Sequence, residues 1–200
     1  MNLHGTAKIN EKGHLEIGGV DTLDLVQVYG TPLYVLDEQE IRRRMRQYID
    51  AFAAHKLPFQ VAYASKALST SALYLIIEDE RLSLDVVSGG ELFTAINAGF
   101  PAERIHFHGN NKLYEEIELA IDYGIGAFVI DNLREIELIN EIAEGKAKRV
   151  KALLRVTPSV EVNTHEYIST GKEDSKFGFN LLEPALVATE LVLDSEWIDL

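Results

Sequence analysis

The sequence predicts an α/β fold: a (β/α)8 barrel built on parallel strands, truncated after about five of them. Three observations carry this prediction. Short apolar runs alternate with helix-like stretches along most of the chain, and apolar strands joined through helices form parallel sheets. The strand-like runs recur about every 22 or 23 residues, the length of one strand-and-helix unit. No glycine-rich phosphate loop follows the first strand, as an open dinucleotide-binding sheet would require. The G-x-G at Gly124 and Gly126 precedes a strand and reads as a turn.

In chain order, residues 1–30 form a β-rich or irregular lead, with turns at Glu11-Lys12-Gly13 and Gly18-Gly19. Asp37 with Glu40 three residues on predicts a helix start, and Ile41, Met45, Tyr48, Ile49 and Phe52 share one helical face. Strands are then expected at Phe59–Ala64, Leu82–Val87, Arg104–His108, Ala127–Ile130 and Ala152–Val156. Helices are expected at Ser69–Ile77, Glu91–Ala98, Leu113–Tyr123 and Leu133–Glu144. Ser88 with Glu91 repeats the capping pattern. A last helix opens at Glu183-Pro184, since proline suits a first helical turn, and Trp197–Leu200 begins a sixth strand. A barrel needs eight strands, so the chain is expected to be the first part of a longer protein.

Composition narrows the function classes. The 200 residues carry 19 Lys+Arg against 32 Asp+Glu, a net charge of −13, which disfavours nucleic acid and anionic membranes as partners. Absence of cysteine excludes disulfides, thiolate metal sites and a cysteine nucleophile in this sequence, and fits a cytoplasmic location. No apolar run reaches the length of a membrane span, and the first residues lack the pattern of a signal peptide.

In a parallel barrel, chemistry sits where strands end. Lys66 ends the first strand among small neighbours, Ala64, Ser65 and Ala67, which leave room at its amine. A lysine condenses with an aldehyde only as the neutral amine, a state that partial burial favours; the competing reading is a solvated lysine closing a strand. Asp85 either faces the same centre or caps the next helix. His108, Asn110, Asn111 and Lys112 follow the third strand, and Asp131 and Asn132 the fourth. Arg155, among apolar residues at the end of the fifth, needs an anion, supplied by a ligand or by a neighbouring Asp. His106 and His108 share a strand face and could hold a metal, the mark of a hydrolase; His4, His14, His55 and His165 are scattered. Residues 157–180, with His165, Thr170, Gly171, Lys172, Ser175, Lys176 and Gly178, form a long loop expected to act as a lid or a surface insertion.

Several segments carry a family resemblance: TPLYVLD (31–37), VAYASKAL (61–68), LDVVSGGEL (84–92), FHGNNK (107–112) and LLRVTPSVEVNTHEYISTGKEDSKFGFN (153–180). Together they span about three quarters of the chain, in order. The chain resembles the N-terminal half of the fold-type III pyridoxal-phosphate decarboxylases. YASKA and D-x-x-S-x-x-E are shared across that family, whereas NTHEYISTG…SKFG is particular to its diaminopimelate branch. The resemblance implies a lead, 1–30, that joins a β-domain, and an incomplete cofactor-binding barrel, 31–200. It implies that Lys66 carries pyridoxal 5'-phosphate, that Asp85 and Glu91 are acidic positions beside it, and that Arg155 lies near the cofactor; capping competes for Glu91. It implies decarboxylation of meso-2,6-diaminopimelate to L-lysine and CO2. The family's ring-stacking histidine, phosphate loop and most substrate residues are expected downstream of residue 200, with two chains completing each site. The 200-residue chain alone is therefore expected to be inactive, and the full-length form a homodimer. Branches acting on arginine, ornithine or carboxynorspermidine share the lysine motif, and a non-catalytic pyridoxal-phosphate carrier is a further alternative.

Overall fold

The computed structural model of the chain describes residues 3–56, 58–157, 177–181 and 183–200. The expected 157–180 loop lies largely outside them. By packing, the chain divides into two compact units, Met1–Val61 and Ala62–Leu200.

The first unit opens with a three-stranded antiparallel sheet, β1 (Lys8–Ile9), β2 (Leu15–Ile17) and β3 (Val20–Asp21). A helix, α1 (Thr22–Tyr29), follows where the sequence reading has only an irregular or β-rich lead. The apolar positions of TLDLVQVY do not resolve into a helical stripe, and the decisive group is its cap. Asp21 accepts from Leu23 N at 2.9 Å while Asn10 Nδ2 and His14 Nδ1 each hold its other oxygen at 2.9 Å. The hydrogen bond from His14 leads the causes that lower its pKa to about 2. The second helix, α2 (Glu38–Ala53), starts as expected: Asp37 accepts from Glu40 N at 3.1 Å, and its other oxygen takes Thr6 N at 2.9 Å and Thr6 Oγ1 at 2.7 Å. Of its expected apolar face only Met45 is buried; Tyr48 and Phe52 are exposed, and Phe52 stacks on Phe59 with ring centroids 5.7 Å apart.

The second unit is the parallel α/β layer. Its strands are β4 (Ala62–Ala64), β5 (Ser83–Val86), β6 (Ile105–Phe107), β7 (Ala127–Ile130), β8 (Val150–Leu154), β9 (Val156–Thr157), β10 (Phe179–Asn180) and β11 (Ile198–Asp199). Its helices are α3 (Ser71–Asp79), α4 (Gly89–Asn97), α5 (Tyr114–Tyr123), α6 (Leu133–Lys146) and α7 (Glu183–Leu193). The main sheet runs β4-β5-β6-β7-β8-β11, parallel throughout, while β9 and β10 form a small parallel pair of their own. The order never reverses. With crossovers of one hand, a sheet that winds in one direction keeps its helices on one face, as in a barrel; a doubly wound sheet reverses.

Register separates the two faces. Leu84, Val86, Ile105, Phe107, Phe128, Ile130 and Ala152 are buried beneath the helices. Phe107 stacks on Phe128 at 6.3 Å; a fully buried side chain of this size contributes about 1.5–3 kcal/mol. The other face carries Asp85, His106, Val129 and Leu153, with Asp85 paired to His106 and Val129 to Leu153. Helix starts are fixed by local side chains: Thr70 caps α3, Ser88 caps α4 and Asn132 caps α6. Gly124 ends α5 at φ 77°, and a Cβ on Gly126 would lie 2.3 Å from the Glu103 carbonyl oxygen. The two glycines are thus a helix stop and a close backbone approach.

Candidate active site

The C-terminal ends of the strands surround a cavity of about 590 Å³ lined by Lys66, Asp85, His108, Asn110, Arg155 and Phe177, with Ala64, Val87, Gly109 and Val129 between them. Three of the four residues predicted for the site, Lys66, Asp85 and Arg155, therefore meet there. Each is delivered by its strand: Lys66 by a 3₁₀ turn (Ser65–Ala67) directly after β4, Asp85 by β5, and Arg155 by the residue after β8.

Lys66 is exposed toward this space, the solvated one of the two states the sequence reading leaves open, and its amine has no partner among the described residues. The turn beneath it is fixed from behind. Ser65 is fully buried; its Oγ donates to the Asp85 carbonyl at 2.7 Å and also contacts a Glu91 carboxylate oxygen. That same oxygen accepts from Val87 N at 2.8 Å. Glu91 is not part of the cavity lining. It completes only half of the capping box, since Ser88 Oγ accepts from Glu91 N at 3.3 Å while the carboxylate bonds Val87 N and the Lys66 turn.

Asp85 caps no helix; Ser88 does that. Its Oδ1 lies 3.2 Å from His106 Nδ1 and 3.5 Å from His108 Nε2. Burial pushes the Asp85 carboxyl up, but hydrogen bonds from the two imidazoles outweigh this and bring its pKa to about 2. Its ionised form therefore contributes stability above about pH 4, lost only as pH falls toward 2. Strand β6 ends at Phe107, one residue before His108 and short of the predicted end, yet His106 and His108 both turn to this carboxylate. Among the described residues no group of three or more His, Asp or Glu side chains is arranged to hold a metal.

Of the two partners expected for Arg155, the structure shows the neighbouring Asp. Its Nη1 lies 3.3 Å from Oδ1 of the buried Asp131, its Cζ sits 4.4 Å over the Phe177 ring, and it still lines the cavity. Asp131 Oδ2 accepts from Gly178 N at 3.1 Å, so one carboxylate joins the end of β8 to the chain leading into β10. Asn132 caps α6, and Asn111 is exposed outside the cavity. Lys112, a strand-end candidate, is a structural cation: buried, it donates to Gly109 O at 2.7 Å, Val129 O at 2.8 Å and Glu135 Oε2 at 3.0 Å. Those three bonds match the three N–H groups of an ammonium, while burial pushes Lys112 down and Glu135 up. Sequence reasoning overlooks Phe177 and names Ser65 only as a small neighbour of Lys66. Phe177 carries one available signal, an aromatic beside Gly178 at the end of the long loop; Ser65 carries none beyond adjacency to Lys66.

An exposed amine, a carboxylate and a guanidinium thus gather at the mouth of a singly wound parallel α/β sheet. The chain belongs to the pyridoxal-dependent decarboxylases, through their pyridoxal-binding domain, whose family profile matches residues 38–198. It is 54% identical to the diaminopimelate decarboxylase of Bacillus methanolicus over its whole length, and 57% identical to that of Halalkalibacterium halodurans over 182 residues. These alignments cover 46% and 42% of the relatives, so the chain spans less than half the length of either. Among solved structures, diaminopimelate decarboxylase from M. jannaschii in complex with L-lysine superposes on 97% of this chain and 46% of its own, with TM-score 0.88 and 36% identity. The α/β fold class expected from the sequence is thereby shown. Among the described residues, no helix is long and apolar enough to cross a membrane.

Proposed function

We propose that this chain is the cofactor-binding part of a diaminopimelate decarboxylase, which converts meso-2,6-diaminopimelate to L-lysine and CO2. The observation that carries the reading is the convergence of Lys66, Asp85 and Arg155 on one cavity in a chain of the pyridoxal-binding family. The residues suit the cofactor, pyridoxal 5'-phosphate. The Lys66 amine is free to take up an aldehyde, the cavity has the size of a small-molecule site, and the lining offers a cation, a carboxylate and an aromatic ring.

When bound, pyridoxal phosphate supplies an electron sink for the pair left on the substrate α-carbon as CO2 departs. The chain's own residues do the rest. Lys66 would hold the cofactor through Nζ. Asp85 favours positive charge beside that nitrogen. Arg155, steadied by Asp131 and Phe177, offers a partner to an anionic group. Glu91 acts at one remove, holding the Lys66 turn through Ser65. The same reading makes residues 1–30 a contribution to a β-domain, the full-length enzyme a cytoplasmic homodimer, and the 200-residue chain inactive alone. Its support is the family resemblance and the absence of cysteine.

The test is borohydride reduction of the full-length protein as isolated, followed by peptide mass mapping and a CO2-release assay on meso-diaminopimelate. A pyridoxyl group on Lys66, with adduct and turnover both abolished in Lys66→Ala, is the expected result. An unmodified Lys66 in an active, cofactor-supplied protein overturns the assignment.

A further inference from the structure

We propose that His106 and His108 are positioning residues that clamp the Asp85 carboxylate beside Lys66, each through a different ring nitrogen. The inference rests on Lys66 being the cofactor-bearing lysine. Asp85 and His106 are register partners on parallel strands, so their side chains leave the sheet on the same face, and His108, just past the end of β6, turns to the same carboxylate. Both rings converge on one oxygen, Asp85 Oδ1: His106 through Nδ1 at 3.2 Å and His108 through Nε2 at 3.5 Å. The inner face of such barrels is ordinarily filled with Val, Ile and Leu, so the fold itself does not call for a carboxylate and two imidazoles there. Helix capping does not call for Asp85 either, since Ser88 supplies it.

Among the described residues, the other charged groups near the cavity are already engaged. Arg155 is held by Asp131, Lys112 is closed on Glu135, and Glu91 is turned to Ser65 and Val87 N. Lys66 is the cavity cation without a partner among the described residues. A carboxylate oxygen met by two imidazoles cannot turn away without losing a contact, so its negative charge stays on the cavity wall that it shares with Lys66. His108 also lines the cavity, whereas His106 reaches the carboxylate from deeper on the strand.

The different nitrogens make the inference testable with isosteres in full-length holoenzyme. Glutamine places an N–H near the Nε2 position of histidine, and asparagine near Nδ1. His108→Gln and His106→Asn are therefore expected to keep the wild-type ratio of visible to near-ultraviolet absorption of bound pyridoxal phosphate, and its affinity. His108→Asn, His106→Gln and the two alanine variants are expected to shift that ratio and weaken pyridoxal phosphate binding on the order of tenfold. Thermal unfolding of each variant separates these losses from misfolding, because the isosteres at one position differ little in bulk. Wild-type behaviour in the alanine variants, or identical behaviour of Gln and Asn at each position, overturns the proposal. Borohydride mapping in the same preparations distinguishes the two levels. Without an adduct on wild-type Lys66 the parent reading fails; with the adduct present and the isosteres indistinguishable, only the clamp fails.

Discussion

Removal of the Glu135 carboxylate should be among the most damaging single changes in the second unit. Lys112 and Glu135 have side chains 1% and 3% exposed, with Nζ and Oε2 3.0 Å apart. The carboxylate does more than neutralise the lysine: Oε2 also accepts from Asp131 N at 3.0 Å, and Oε1 takes Asn132 Nδ2 at 3.3 Å. In Glu135→Ala the ammonium keeps two carbonyls but loses its directly bonded counter-charge, with buried Asp131 acting on it without a hydrogen bond. Breaking one side of a buried ion pair costs about 3–5 kcal/mol. For a domain of this size each kcal/mol moves the melting temperature by roughly 2–4 °C, so a fall of about 6–20 °C is expected. The assay is thermal unfolding of the full-length protein followed by circular dichroism. Because the penalty is that of an orphaned charge, Lys112→Met in the Glu135→Ala background should recover part of the loss. If the double variant instead lost the sum of the two single losses, the pair would not be coupled and the reasoning would be wrong. The site is involved as well, since Lys112 holds the carbonyls of Gly109 and Val129, two residues of the cavity wall.

Two further changes test other parts of the structure. Asp131→Ala should cost about 1.5–3 kcal/mol by removing charge-assisted bonds to Arg155 and Gly178; a melting temperature equal to wild type would show that Arg155 does not depend on it. Gly126→Ala should cost about 1–3 kcal/mol or more, because its Cβ would fall 2.3 Å from the Glu103 carbonyl, which is backbone and cannot swing aside. Gly124→Ala meets no atom within 4 Å and should cost only about 1–2 kcal/mol, from its left-handed φ of 77°. Equal losses from the two alanine variants would contradict this account.

The parallel α/β layer could be read from the chain because its signals are local. Period and apolar runs mark the strands, Ser88 announces α4 through a cap within a few residues, as Asp37 does for α2 in the first unit, and Gly124 ends α5 by its own conformation. Lys66, Asp85 and Arg155 could be nominated because a strand end is a position in sequence, and the barrel rule turns that position into a place. α1 escaped because its start depends on Asp21 being held by Asn10 and His14 as well as on its own pattern. The partners of the nominated residues lay beyond reach for a related reason. Lys112 and Lys66 both follow strands and look alike in sequence, yet one is sealed against Glu135, 23 residues away, and the other faces open space. His106 and His108 have metal-ligand spacing, but Asp85 on the neighbouring strand captures both. A residue's type and spacing follow from the chain alone. Which charge it meets, and whether water reaches it, follow from strand register and helix packing, because electrostatic interactions depend on distance and burial and not on separation along the sequence.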